Sequence, residues 1–94
     1  MDKEAIKNKI VNYLKEYHPN KIGIFGSFSR NEPEFNDIDV LIDFNEPVTL
    51  IQLIRMEREL SELVGKKVDL ISSNAIKNRK LKGYIEKDLQ IIYQ

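Results

Sequence analysis

Asp37 and Asp39 stand two residues apart in the run DIDVLIDF, and a strand would present both carboxylates on one face. Their Cα atoms would lie roughly 6 to 7 Å apart, close enough for the side chains to converge. Two unit charges about 4 Å apart repel by roughly 4 kcal/mol at an effective dielectric near 20. Such a pair either splays into water or holds a cation. Asp69, in KKVDLI, points opposite to Val68 and Leu70, and a neighbouring strand could carry it to the same place. Three oxygen ligands without His or Cys favour a hard ion, Mg2+ or Mn2+. Acids are also common on exposed strand faces, so the D-x-D alone leaves both readings open. Asp43 shares the face but sits at the strand end, where it reads as structural or solvating.

Ten residues before the pair, Gly26-Ser27 follows a short apolar run. Glycine lets a backbone approach a ligand closely, and the Ser27 hydroxyl could meet an anion. Arg30 adds a fixed charge suited to phosphate. No Lys-Ser or Lys-Thr follows a glycine-rich loop, so this is not a P-loop. A Gly-Ser pair by itself is more often a plain turn. An anion at this turn would be repelled by Asp37 and Asp39 unless a metal joined them. Mg2+ does so readily, since it usually binds through one or two carboxylates plus substrate phosphates.

The elements that must position these groups follow from periodicity. Ile6, Ile10, Tyr13, Leu14 and Tyr17 make one helical stripe over residues 3–17, with Asp2 as cap and His18-Pro19-Asn20 as stop. His18 itself reads as a capping or surface residue. Lys21 to Phe25 reads as a buried strand, residues 31–36 as a loop, and Asp37 to Phe44 as an alternating strand. In that strand Ile38, Val40, Ile42 and Phe44 oppose the acidic face. Thr49 with Gln52 forms a capping box for a helix starting near Leu50. Leu53, Met56, Leu60, Leu63 and Val64 are its apolar stripe, and Gly65 ends it. Lys67 to Ile71 is a third strand. Ser73 or Asn74 caps a third helical segment, weakened at Gly83, and Leu89 to Tyr93 is an edge strand. The order predicts one α/β (α+β-like) domain over residues 1–94, a mixed sheet of about four strands flanked by helices. The 11-residue connection from 27 to 37 contains no full helix, so the first two strands can pair antiparallel.

Composition narrows the classes. The 94 residues contain no cysteine, hence no disulfide framework and no thiolate metal site. The charged N-terminus is no signal peptide and no apolar run reaches a membrane span, which predicts a cytoplasmic protein without membrane contact. Net charge is zero but uneven. Residues 27–64 hold three basic and nine acidic side chains, and residues 65–94 hold seven basic and three acidic. The acidic middle argues against direct nucleic-acid binding. The basic last third suits a solvated helix face, an acidic partner or a polyphosphate.

Taken together, an apolar residue, Gly-Ser, nine residues, Asp-apolar-Asp-apolar, then a helix and a Val-Asp-Leu strand resemble the nucleotidyltransferases of the DNA polymerase β superfamily. The length resembles its minimal nucleotidyltransferase (MNT) group, from about Lys21 to the C-terminus. The resemblance implies that Gly26, Ser27 and Arg30 bind nucleotide phosphates. It implies that Asp37 and Asp39 hold two Mg2+ ions, with Asp69 as third carboxylate and possible general base. Here Ser29-Arg30-Asn31 replaces the usual Ala-Arg-Gly, and asparagine tolerates the left-handed conformation better than most residues.

The implied reaction is transfer of a nucleoside monophosphate, AMP from ATP, to a hydroxyl. MNT members are commonly paired with a helical HEPN-domain protein, often a toxin, and some add AMP to its tyrosine as antitoxins. So short a chain leaves little room for an acceptor pocket, so the acceptor side would come from another chain or a second copy, as in a homo-oligomer. Two other readings stand beside this one. The first is a binding module that neutralises its partner by contact, through the basic last third and Tyr84 or Tyr93. The second is nucleotidylation of a small molecule. Phe28 and Phe35 flank the loop and could pack it or touch the base.

Overall fold

The computed structural model describes every residue except Met1, Asn31, Glu34 and Asn36. The expectation for the Asn31 backbone lies outside the described residues. Helix α1, Lys3–Leu14, starts where the Asp2 carboxylate accepts from the Ala5 amide at 2.7 Å. It buries Ile6, Ile10 and Leu14 on one stripe. A 3-10 turn, Lys15–Tyr17, carries it to His18, whose φ of 53° reverses the chain. That turn rotates Tyr17 off the stripe, and it is 38% exposed, contrary to its expected place in the core. Tyr13 remains partly buried and donates its hydroxyl proton to Glu59.

Strand β1, Pro19–Phe25, begins two residues earlier than its apolar run, because Pro19 already pairs with Phe44. Helix α2, Gly26–Ser29, is a single turn. Strand β2, Asp37–Phe44, lies antiparallel to β1. Helix α3, Leu50–Val64, opens on the expected box: the Gln52 amide donates to Thr49 Oγ1 at 3.1 Å, and the Thr49 amide donates to Gln52 Oε1 at 2.8 Å. It ends at Gly65, φ 74°. Strand β3, Lys67–Ser72, then runs parallel to β2. The third helix starts later than expected. Ser73–Ala75 is only a 3-10 turn, and α4, Arg79–Asp88, is capped by Asn78, whose side chain accepts from the Lys80 amide at 2.8 Å. Strand β4, Gln90–Tyr93, pairs antiparallel with β1 at the sheet edge, as expected.

The sheet order is β3-β2-β1-β4, a mixed four-stranded sheet of the anticipated α/β class. Its two faces differ. On one, Ile22, Ile24, Ile38, Val40, Ile42 and Val68 form the main core against α1 and α3. On the other, Phe25 and Leu41 are covered by Ile85, the one buried residue of α4. Leu63 leaves the predicted stripe of α3 and is 45% exposed, and Leu50, Ile51 and Ile54 are also open to solvent. Among the described residues, no helix is long and apolar enough to cross a membrane.

Candidate active site

The second sheet face carries the acids. Along β2, Ile38, Val40 and Ile42 enter the core, so Asp37 and Asp39 must face the other way. The parallel register sets Asp39 directly beside Asp69 on β3, with neighbouring strands about 4.8 Å apart. Across the other ladder, Asp39 pairs with Phe25, which places Gly26 next to the same carboxylate. A Cβ on Gly26 would stand 2.4 Å from Asp39 Oδ2, and Gly26 has a φ of 73°. Both the conformation and the close approach therefore require glycine. Asp37, Asp39 and Gly26 thus lie at one end of the β1–β2 ladder, and β3 sets Asp69 beside Asp39, the neighbour that the sequence reading placed there. Ser27, half-buried, follows at the start of α2.

The electrostatics match that crowding. The Asp39 carboxyl is pushed above its ordinary range, first by burial, then by the charges of Asp69 and Asp37, against a smaller opposing pull from Lys67. Lys67 Nζ lies 3.7 Å from Asp69 Oδ1. Its place opposite Asp37 in the parallel register was not anticipated from sequence, because only the pairing of β2 with β3 creates it. A carboxylate destabilised by two others is what a bound cation relieves, so the donor set fits a hard divalent ion. Among the described residues no group of three or more His, Cys, Asp or Glu side chains is gathered closely enough to hold a metal ion.

Arg30 does not offer a free charge. Its Nη1 donates to Asp88 Oδ2 at 2.7 Å and its Nη2 to Glu32 Oε2 at 3.3 Å. The Asp88 bond is the largest influence on the guanidinium, and with Glu32 and Tyr84 it holds the pKa above its ordinary value. Ser29 Oγ also donates to the Asp88 carbonyl, so the end of α4 is tied to α2. No local pattern in the sequence marks this tie, since it joins residues 58 and 59 positions apart. Phe28 resolves toward packing: it is buried and meets Phe35 edge-on, centroids 4.9 Å apart, with the Lys3 and Lys66 ammonium groups over the Phe35 ring. Asp43, at the far end of the acidic face, accepts from Ser73 Oγ at 3.3 Å.

Comparison with known proteins places this geometry. Residues 8–94 match the family model described as polymerase beta, nucleotidyltransferase. A Methanocaldococcus jannaschii protein, provisionally named a protein adenylyltransferase, is 50% identical over 88 residues, covering 92% of this chain and 90% of its own. The protein adenylyltransferase MntA of Thermococcus cleftensis is 35% identical over 80 residues, covering 80% and 81%. Two solved structures share the fold at a TM-score of 0.80. One is a toxin–antitoxin with AMP-PNP, 22% identical and covering 92% of this chain and 71% of that one. The other is a tri-AMPylated Shewanella oneidensis HEPN toxin in complex with its MNT antitoxin, 19% identical and covering 97% and 71%. The β1–turn–β2 hairpin that sets a glycine against paired aspartates, and a match running through nearly the whole chain, lead to one conclusion: the chain belongs to the polymerase β-type nucleotidyltransferase family.

Proposed function

We propose that the chain transfers AMP from ATP to a tyrosine hydroxyl of a HEPN-domain toxin and so acts as its antitoxin in the cytoplasm. The observation that carries this reading is the close approach of Gly26 to Asp39, with Asp37 on the same strand face and Asp69 next to Asp39 across the parallel ladder. Its biological setting rests on relatives named protein adenylyltransferases and on a like-folded antitoxin complexed with an AMPylated HEPN toxin.

In this reading Gly26 lets the triphosphate approach the backbone, and the Ser27 hydroxyl donates to a phosphate oxygen. Arg30 would keep its bond to Asp88 and offer its remaining N–H donors to the phosphate tail. Asp37, Asp39 and Asp69 would hold divalent ions, two Mg2+ by resemblance, in a family that generally uses divalent metals. When bound, such ions supply charge neutralisation on the triphosphate and activation of the acceptor hydroxyl. Asp69, paired with Lys67 and partly exposed, would take the acceptor proton as general base. The chain's contribution is mainly positioning and charge stabilisation.

The test is direct. Protein, Mg2+, α-labelled ATP and the cognate HEPN protein are incubated, and label should appear on a partner tyrosine. Asp39→Asn should lower the rate by more than about 100-fold, the upper cost for an outer-shell metal partner. Absence of label, with toxicity unaffected by Asp39→Asn, refutes the enzyme reading. A second reading has its own support: Leu50 and Ile51, 71% and 72% exposed on α3, suit a docking surface. An antitoxin acting by contact alone would still protect after Asp37→Ala with Asp39→Ala.

A further inference from the structure

Helix α4 crosses the sheet face that carries the three aspartates, held by Ile85 against Phe25 and Leu41. One of its flanks, Lys82 and Glu86 at i and i+4, lines a cavity of about 260 Å3 together with Lys21 and Asp43. Lys21 and Asp43 pair at the opposite end of the β1–β2 ladder from Phe25 and Asp39. The other flank, Leu81, Tyr84 and Asp88 at i, i+3 and i+7, therefore looks toward the aspartate end. Asp88 fixes that orientation through its 2.7 Å bond to Arg30, directly after α2. Tyr84 stands one turn before Asp88 and close enough to Arg30 to influence its charge. Yet Tyr84 is 60% and Leu81 44% exposed, so a ring and an aliphatic side chain on this flank stand open to solvent.

We infer that Tyr84 and Leu81 form the platform on which the base of a purine nucleoside triphosphate lies. This rests on the nucleotidyltransferase reading above. With phosphates at Gly26–Ser27 and charge compensation at the aspartates, the nucleoside needs a surface of another kind, flat and apolar. The exposed flank of α4 is such a surface. A stacking platform reads the face of a base and not its edge, so it favours purines over pyrimidines by area and separates adenine from guanine weakly.

The chain has no tryptophan, so Tyr84→Trp introduces a single indole reporter. In Mg2+, ATP and GTP should quench its emission, whereas inorganic tripolyphosphate should bind without quenching. By calorimetry, Tyr84→Ala should weaken ATP about 5- to 10-fold while leaving tripolyphosphate unchanged, and Tyr84→Phe should retain wild-type affinity. Unchanged ATP affinity in Tyr84→Ala overturns the inference and leaves this ring to a partner contact. An equal loss for ATP and tripolyphosphate overturns it too, since α4 would then be acting on the phosphate site. If wild type binds neither compound, the nucleotide site itself is wrong and this inference falls with it.

Discussion

Gly26 carries two constraints at once, a left-handed backbone and a side-chain position already occupied by the Asp39 carboxylate. Gly26→Ala should therefore cost about 1 to 2 kcal/mol from the backbone alone, read by urea unfolding, and should also displace Asp39 and abolish nucleotidyl transfer. Asp39 is strained differently. Its pKa in the fold lies above its ordinary 3.8, so the native state binds a proton that the unfolded chain releases. In metal-free buffer, stability should fall as pH rises from 3.8 through the raised value and should stay lowered above it. Asp39→Asn should lack that slope and be more stable than wild type at neutral pH while losing activity. A divalent ion should raise the melting temperature of wild type more than that of the variant. Equal metal responses would remove Asp39 from the proposed ligand set.

Among the elements, α3 does more than cover the core. Strand β3 is a sheet edge, and its outward amides at Val68 and Leu70 are met by side chains of α3. Val68 donates to Ser61 Oγ at 2.9 Å and Leu70 to Glu57 Oε2 at 2.8 Å. This protects the edge and fixes the height of Asp69 beside Asp39. Glu57→Ala should cost about 1 to 3 kcal/mol in thermal or urea unfolding, and should lower activity through Asp69 without touching substrate. Helix α4 is held more loosely, by Ile85 and the Asp88 ties. Asp88→Ala should speed hydrogen exchange in α4 while leaving β1 and β2 protected.

Across the whole molecule, the helices α1 and α3 lie on one side of the sheet and the three aspartates on the other. Helix α4 stands over the acidic face, where Ile85, with Ile76 and Leu89, covers Phe25 and Leu41. ATP and Mg2+ with the chain alone should release pyrophosphate slowly, and addition of the HEPN partner should raise the rate sharply. A fast partner-independent rate would point to water or a small molecule as acceptor.

The sequence by itself determined the elements and the chemistry that each one carries. The alternation in DIDVLIDF forces two carboxylates to one face, the Thr49–Gln52 box and Gly65 set the ends of α3, and Gly26 marks a backbone no other residue fits. These are short-range consequences of side-chain period and backbone sterics, so they are legible over a few residues. What it mislaid were the margins: Tyr17 and Leu63, whose exposure depends on where neighbouring helices stop, and the start of α4, where a 3-10 turn intervenes. Only the tertiary structure decided which strand lies beside which. The parallel pairing of β2 with β3 brings Asp69 and Lys67 to the pair. The crossing of α4 binds Arg30 to Asp88 and brings Tyr84 near the same guanidinium. Those contacts join residues some thirty to sixty positions apart, and their register is set by packing across the sheet, which no local spacing records.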